Sequence, residues 1–263
     1  MNRTLVMGIL NVTPDSFADG GRYENYDSAL KRAKEMIGEG VDIIDIGGES
    51  TRPGAKRITL DEEIQRTIPL ITELSESGIP ISIDTMRSEV AAAAISAGAT
   101  IVNDVSGGKA DSNMGRLLAR NPQIQMVVMH WRGHSENMQE LANYEDVVTE
   151  VKKELEIRVE ELLKDGVQLE QLIIDPGLGF AKNPEDNWEI LRHIDRFSLL
   201  GFPLLVGGSR KRFLGELVGA SNPDDREAAS IALTTLLAAK GIWAVRTHGV
   251  RAHRDAIEVA NKL

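Results

Sequence analysis

Short apolar runs, each ending in a polar side chain and then Gly, Pro or Ser, recur along the whole chain. They fall at residues 5–10, 41–46, 79–83, 100–102, 124–129, 172–174, 202–206 and 242–245. The runs are continuous rather than alternating, which marks strands buried on both faces, as in a parallel sheet. Between them the apolar spacing turns helical. Val148, Val151, Leu155, Val159 and Leu162 form one stripe on a Glu- and Lys-rich segment, the pattern of a helix packed on one side. A second helix is expected to start at Asn222-Pro223-Asp224-Asp225, with a cap, a proline in the first turn and acids at its positive end, and to run to Gly241. Eight strands alternating with helices give the α/β class and favour a closed (β/α)8 TIM barrel, as a single domain over residues 1–263.

Composition narrows the function more than the fold. With 263 residues and 42% apolar content, one large core is affordable. The 40 acidic against 30 basic residues leave a net charge of -10, which repels a phosphate backbone and speaks against nucleic acid as a partner. An anionic small ligand would need local cations and backbone N–H groups. The chain has no cysteine, so disulfides, thiolate metal sites and cysteine nucleophiles are excluded. The apolar run near the N-terminus is too short for a signal or membrane segment, and a soluble cytoplasmic protein is expected.

In such barrels the active site lies at the C-terminal ends of the strands. There the chain carries Asn11, Asp45 with Glu49, Asp84, Asn103, His130, Asp175, Ser209 with Lys211, and Arg246 with His248. So many donors and acceptors at one end imply a ligand pocket. Asp45 is equally compatible with a buried polar layer inside the barrel. His130 and His134 have i, i+4 spacing but fall on a loop, so a zinc pair is not expected. Long motifs follow the strands: MGILNVTPDSFADGG at 7–21, GGESTRPG at 47–54, PISIDTMR at 80–87, NDVSGG at 103–108, LIIDPGLGF at 172–180 and GGSRKRF at 207–213. The last opens a helix whose amides can receive a carboxylate or phosphate.

Together these stretches resemble dihydropteroate synthases, in order and approximate spacing from Met7 to His248. The resemblance implies a (β/α)8 fold and a condensation of 6-hydroxymethyl-7,8-dihydropterin pyrophosphate with p-aminobenzoate, with Mg2+ and a homodimer. It implies that Asp84, Asn103, Asp175, Lys211 and Arg246 bind the pterin and, with His248, form the catalytic set. A dihydropterin offers a guanidine-like row of N–H donors, which buried carboxylates can accept in pairs. Pyrophosphate is implied to lie against Asn11, Arg52, Arg246 and His248, with Asn11 ligating Mg2+, a hard ion that needs few protein ligands. Phe17, Asp19, Thr51, Arg52, Pro53, Phe180, Ser209 and Lys211 are implied to build the p-aminobenzoate pocket, completed only after the first substrate binds. Trp131 stands where relatives more often carry Met, and Thr247 and Gly249 flank His248 where relatives usually have Val and an acid or its amide. Two other readings remain: a methyltetrahydrofolate-dependent methyltransferase of the pterin-binding barrel group, which needs neither the Asp15–Phe17 nor the Ser209–Lys211 triplet, and a non-catalytic pterin-binding scaffold.

Overall fold

A computed structural model of the chain describes residues 3–12, 22–49, 57–134 and 138–263, the side chains of residues 22–25 excepted. In chain order the elements are β1 (Leu5–Asn11), α1 (Arg22–Gly38), β2 (Ile43–Gly47), α2 (Leu60–Leu74), β3 (Ile81–Asp84), α3 (Ser88–Ser96), β4 (Ile101–Asp104), α4 (Met114–Ala119) and β5 (Gln125–Met129). They continue with α5 (Val147–Lys164), β6 (Leu172–Asp175), α6 (Pro184–Arg192), α7 (Asp195–Ser198), β7 (Leu205–Val206), α8 (Arg212–Val218), α9 (Glu227–Ala239), β8 (Ala244–Thr247) and α10 (Arg251–Ala260). All paired strands are parallel, in the ring order β6-β5-β4-β3-β2-β1-β8-β7. A parallel bridge between Ile174 and Leu204 joins β6 to β7 and closes the ring. The expected (β/α)8 barrel is the fold.

Each continuous apolar run serves two cores because successive side chains point to opposite faces. Ile44, Ile46, Ile83, Val102, Val128, Ile174, Val206 and Val245 pack outward under the helices. Met7, Ile43, Ile101, Val127, Ile173, Leu205 and Ala244 form a separate cluster inside the barrel, with Leu5 and Trp243 against it at the N-terminal end. The helix α5 stripe is buried as read, and Asp146 caps its start by accepting from Thr149 N at 3.0 Å.

Two elements differ from the sequence reading. Strand β7 is confined to Leu205–Val206 instead of 202–206, since Pro203 has no N–H for the ladder and only its carbonyl pairs, accepting from Ile174 N at 3.0 Å. Asn222 does cap, but it caps a 3-10 turn, Pro223–Arg226, and the α-helix begins at Glu227. Arg226 leaves helical geometry at φ -91 and ψ 1, and its guanidinium reaches back to the carbonyls of Ala220, Ser221 and Arg210.

Candidate active site

Counting two residues on from the interior apolar cluster gives the pocket floor. Ile43 leads to Asp45, Ile101 to Asn103, Ile173 to Asp175, and Ala244 to Arg246, each on the same inner face of its strand. Several strands run one residue or more beyond the apolar run, so Asn11, Asp84, Asn103, Asp175 and Arg246 are strand residues rather than loop residues. That fixes them on the most rigid part of the molecule.

The floor is one connected network. Arg246 donates from Nε to Asp45 Oδ2 at 2.6 Å and from an Nη to Asp84 Oδ2 at 2.6 Å. Asn103 Nδ2 donates to the same Asp45 oxygen at 3.0 Å. Asp45 is fully buried, so both readings of it hold: it lies in a polar layer inside the barrel and it touches the site residues. Burial pushes the Asp84 carboxyl up to about 7 against the pull of Arg246, and Asp45 adds to the rise. Arg246, expected to face pyrophosphate, is engaged by two carboxylates in this state.

Asp175 divides its two oxygens. Oδ1 accepts the Gly177 N–H at 2.7 Å and holds the turn after β6. Oδ2 borders a space kept open by Gly207, where an added Cβ would lie 3.8 Å from Asp175 Oδ2, 3.9 Å from Arg246 Cβ and 4.0 Å from Lys211 Nζ. Three site residues therefore converge where a side chain is missing. Burial also raises the Asp175 pKa, with Lys211 opposing it. Burial lowers Lys211 to about 8, with Asp175 opposing, and its ammonium donates to Leu178 O and stands 4.8 Å above the Phe180 ring. Phe180 is half-buried at the mouth, not packed into the core.

Two short loops carry this upper part, and each contains a non-glycine residue in the left-handed region: Ala181 at φ 46 and Arg210 at φ 57. Such a residue costs about 1–2 kcal/mol and persists only when neighbours hold it. Around Ala181 the neighbours are side chains on four consecutive carbonyls: Lys211 on Leu178, Gln139 on Gly179, Lys182 on Phe180 and Tyr144 on Ala181. At Arg210 the N–H donates to Ser230 Oγ at 2.9 Å and the guanidinium is gripped by Glu227 and Asp224. The second clamp sets the angle between Ser209 and Lys211.

His248 and Ser209 meet directly, with Ser209 Oγ 3.0 Å from His248 Nδ1 and 3.3 Å from its backbone N. The family resemblance implies an acid or its amide at position 249, but here a Cβ on Gly249 would run into Glu227, so the glycine matches a carboxylate arriving from α9. Thr247 Oγ1 lies 3.4 Å from Ser209 Oγ. The histidine is oriented by Ser209 instead of by its chain neighbour.

His130 is a correction. It is buried, but it turns behind the pocket, where Nδ1 meets Lys182 Nζ at 2.9 Å and Nε2 meets Glu154 Oε2 at 2.9 Å. The side chain before it, Met129, lies on the inner face, so the alternation along β5 sends His130 outward. Glu49 likewise turns away, to Arg57 and Arg87. His134 sits edge-on to Trp131 at 5.1 Å, and no group of three or more metal-ligating side chains occurs among the described residues.

Sequence reasoning missed Lys182, whose pKa burial lowers to about 7. Its signal was its place in the Asp175–Lys182 motif, directly before the Asn183 capping box of α6. It also missed Arg87, which bonds Glu49, Glu63 and Ile58 O and so ties together the described residues on either side of the segment that contains Thr51, Arg52 and Pro53. Those three residues, with Phe17 and Asp19, lie outside the described residues.

Fold and site together define a (β/α)8 barrel of the enzyme type, with buried acceptors on Asp45, Asp84 and Asp175 and the cations Lys211 and Arg246 at the C-terminal ends of its strands. A family model described as "Pterin binding enzyme" matches residues 7–248. The dihydropteroate synthase of Mycobacterium leprae is 47% identical over 97% of this chain and 91% of its own length, and that of Bacillus subtilis 44% identical over 95% and 85%. The solved Xanthomonas albilineans dihydropteroate synthase with 4-aminobenzoic acid superposes with a TM-score of 0.93 at 40% identity, covering 99% of this chain and 93% of that one. A second structure of that enzyme, in complex with 7,8-dihydropteroate, gives 0.90 at 38% identity over 99% and 94%. The chain belongs to the dihydropteroate synthase family of pterin-binding enzymes, and it is a transferase.

Proposed function

We infer that the enzyme condenses 6-hydroxymethyl-7,8-dihydropterin pyrophosphate with p-aminobenzoate, releasing pyrophosphate and forming dihydropteroate. The observation that carries this is the convergence of Asp175 Oδ2, Lys211 Nζ and Arg246 on the space left by Gly207. Carboxylates at the floor accept the donor edge of the pterin, and Lys211, protonated below about 8, meets an acceptor on the same ring. The bond between the pterin methylene carbon and the pyrophosphate oxygen breaks with its electron pair leaving on pyrophosphate. The ring spreads the cation so formed, the aryl amine adds its lone pair to the methylene, and the ammonium proton passes to solvent or pyrophosphate.

Charge on the leaving group must be neutralised for this step. His248, held by Ser209, stands at the rim, and Arg246 can exchange a carboxylate for a phosphate oxygen. Asn11 ends β1 with its Oδ1 3.7 Å from the Cβ position of Gly47, which Asp84 Oδ2 also borders at 3.7 Å, so a neutral carbonyl oxygen lies next to a site carboxylate. One neutral oxygen suits a hard ion that keeps its waters and shares the substrate's phosphates, and Asn11 would hold Mg2+ in this way. Bound there, the ion would supply charge neutralisation to the pyrophosphate. Phe180 and Ser209 fit walls for p-aminobenzoate, joined by Phe17, Asp19, Thr51, Arg52 and Pro53. A homodimer would cover the exposed Leu217 and Val218 of α8, Leu236 of α9 and Val259 of α10.

Incubating the purified enzyme with both substrates and Mg2+, then separating the products, tests the reading. Dihydropteroate is the expected product. A folded protein that forms none, or that transfers a methyl group from methyltetrahydrofolate instead, overturns it.

A further inference from the structure

Asp45 is the one residue of the floor for which the pterin chemistry gives no role, yet it touches more of the site than any ligand-facing carboxylate. Its Oδ2 accepts from both Asn103 Nδ2 at 3.0 Å and Arg246 Nε at 2.6 Å. Its Oδ1 is buried with no hydrogen-bond partner among the described residues, and neither has Ser82 Oγ, on the residue paired with Asp45 across β2 and β3. Half-satisfying a buried carboxylate costs stability, and Ile43, two residues back on the same face of β2, belongs to the apolar interior cluster. A residue kept for the fold alone would not be left so. Such costs are the mark of a functional position.

We propose that Asp45 is a positioning residue that sets which side of the Asn103 amide the substrate meets and where the Arg246 fork lies. This rests on the proposed pterin chemistry. A carboxylate paired to a guanidinium only accepts, so Asn103 must turn its NH2 toward Asp45 and keep its carbonyl oxygen for the other side. Asn103 therefore offers the pocket an acceptor and reads an N–H of the ligand, in agreement with the acceptors on Asp84 and Asp175. The same oxygen fixes Arg246 through Nε, which leaves its terminal nitrogens to reach Asp84 or a substrate oxygen. Without Asp45 the amide is free to flip, and a flipped Asn103 sets a donor against a donor.

The test is a double-mutant cycle read by calorimetric binding of 6-hydroxymethylpterin, with no turnover required. Asp45→Asn is expected to weaken binding by about tenfold in the wild-type background, the worth of one misaligned hydrogen bond. In an Asn103→Ala background the same change is expected to cost clearly less, about threefold or below, since the amide it orients is gone and only its hold on Arg246 remains to be lost. Equal losses in both backgrounds would make Asp45 a purely structural residue and overturn the proposal. A measurement on the unaltered protein guards against a variant that does not fold: the Asn103 side-chain amide in NMR should show one proton shifted downfield, slow to exchange with solvent and scalar-coupled to the Asp45 carboxylate. Two fast-exchanging amide protons would overturn it as well. Because both readouts are independent of condensation, failure of the proposed reaction leaves a separate mark: pterin binds and the cycle closes, but no dihydropteroate forms.

Discussion

Asp175 serves two purposes at once, and its two oxygens allow them to be separated. Asp175→Asn keeps an oxygen to accept the Gly177 N–H, so the turn after β6 and the fold should survive. At the Oδ2 position the amide places a donor, or at best a weaker neutral acceptor, against the donor edge of the pterin. We expect binding of 6-hydroxymethylpterin to weaken by about 2 to 4 kcal/mol in calorimetry, with unchanged secondary structure by circular dichroism. Wild-type affinity would remove Asp175 from the site. The residue at 249 gives a second prediction. Gly249→Asp pushes a side chain into Glu227 and sets two acids together, and should destabilise the protein by about 1–3 kcal/mol in thermal unfolding. Glu227→Ala has a cost of its own through Arg210, so the comparison is within that background, where Gly249→Asp should cost much less than in the wild type. If the single substitution is neutral, the glycine is not matched to α9 as described. Neither effect was legible from the chain alone, because Glu227 is 22 residues away in sequence and only the barrel brings it to the loop after β8.

At the scale of elements, the strand ends were legible to within a residue or two and their facing was not. A run such as Ile124 to His130 announces a strand ending in a polar group, but whether that group enters the pocket depends on parity, which an apolar run on both faces conceals. Hence Asp175 and Asn103 face into the barrel end as read and His130 turns away from it. His130 instead locks the Ala181 loop from behind through Lys182, and this makes a pH signature. Burial, with Lys182 beside it, lowers the histidine pKa to about 3 from 6.5, although Glu154 pulls the other way and Arg132 adds to the fall. Between those values the unfolded chain binds a proton that the folded chain refuses, so stability falls as pH drops from 6.5 toward 3 and is unaffected above 6.5. The contribution approaches about 1.4 kcal/mol per pH unit. Asp84 and Asp104, raised to about 7 and 6 by burial, act in the opposite sense, so the difference between proteins is the quantity to read. His130→Gln should lose stability less steeply than wild type as pH falls through this window in urea titrations. Parallel curves would contradict the buried neutral histidine.

Over the whole molecule, the count of eight strands and the resemblance of the long motifs were enough for the fold and the family, and the structure and the relatives agree with both. What lay beyond the sequence were the long-range ties: Arg246 to Asp45 across 201 residues and to Asp84 across 162, and Arg87 joining Glu49 to Ile58 O. Pairings at such separations are consequences of closing the ring and have no local pattern. The chain as a whole carries a net charge of -10, and at the end of the barrel Lys211 and Arg246 stand among Asp45, Asp84 and Asp175. The cations that a pyrophosphate ester needs are therefore local ones, set by individual side chains and not by the overall charge.

The central claim is that this site joins two substrates with loss of pyrophosphate, and omission of each substrate in turn tests it most directly. Pyrophosphate release should require the pterin pyrophosphate and p-aminobenzoate together, with one dihydropteroate formed for each pyrophosphate released. Release at the same rate without p-aminobenzoate, or none with both present, would contradict the account.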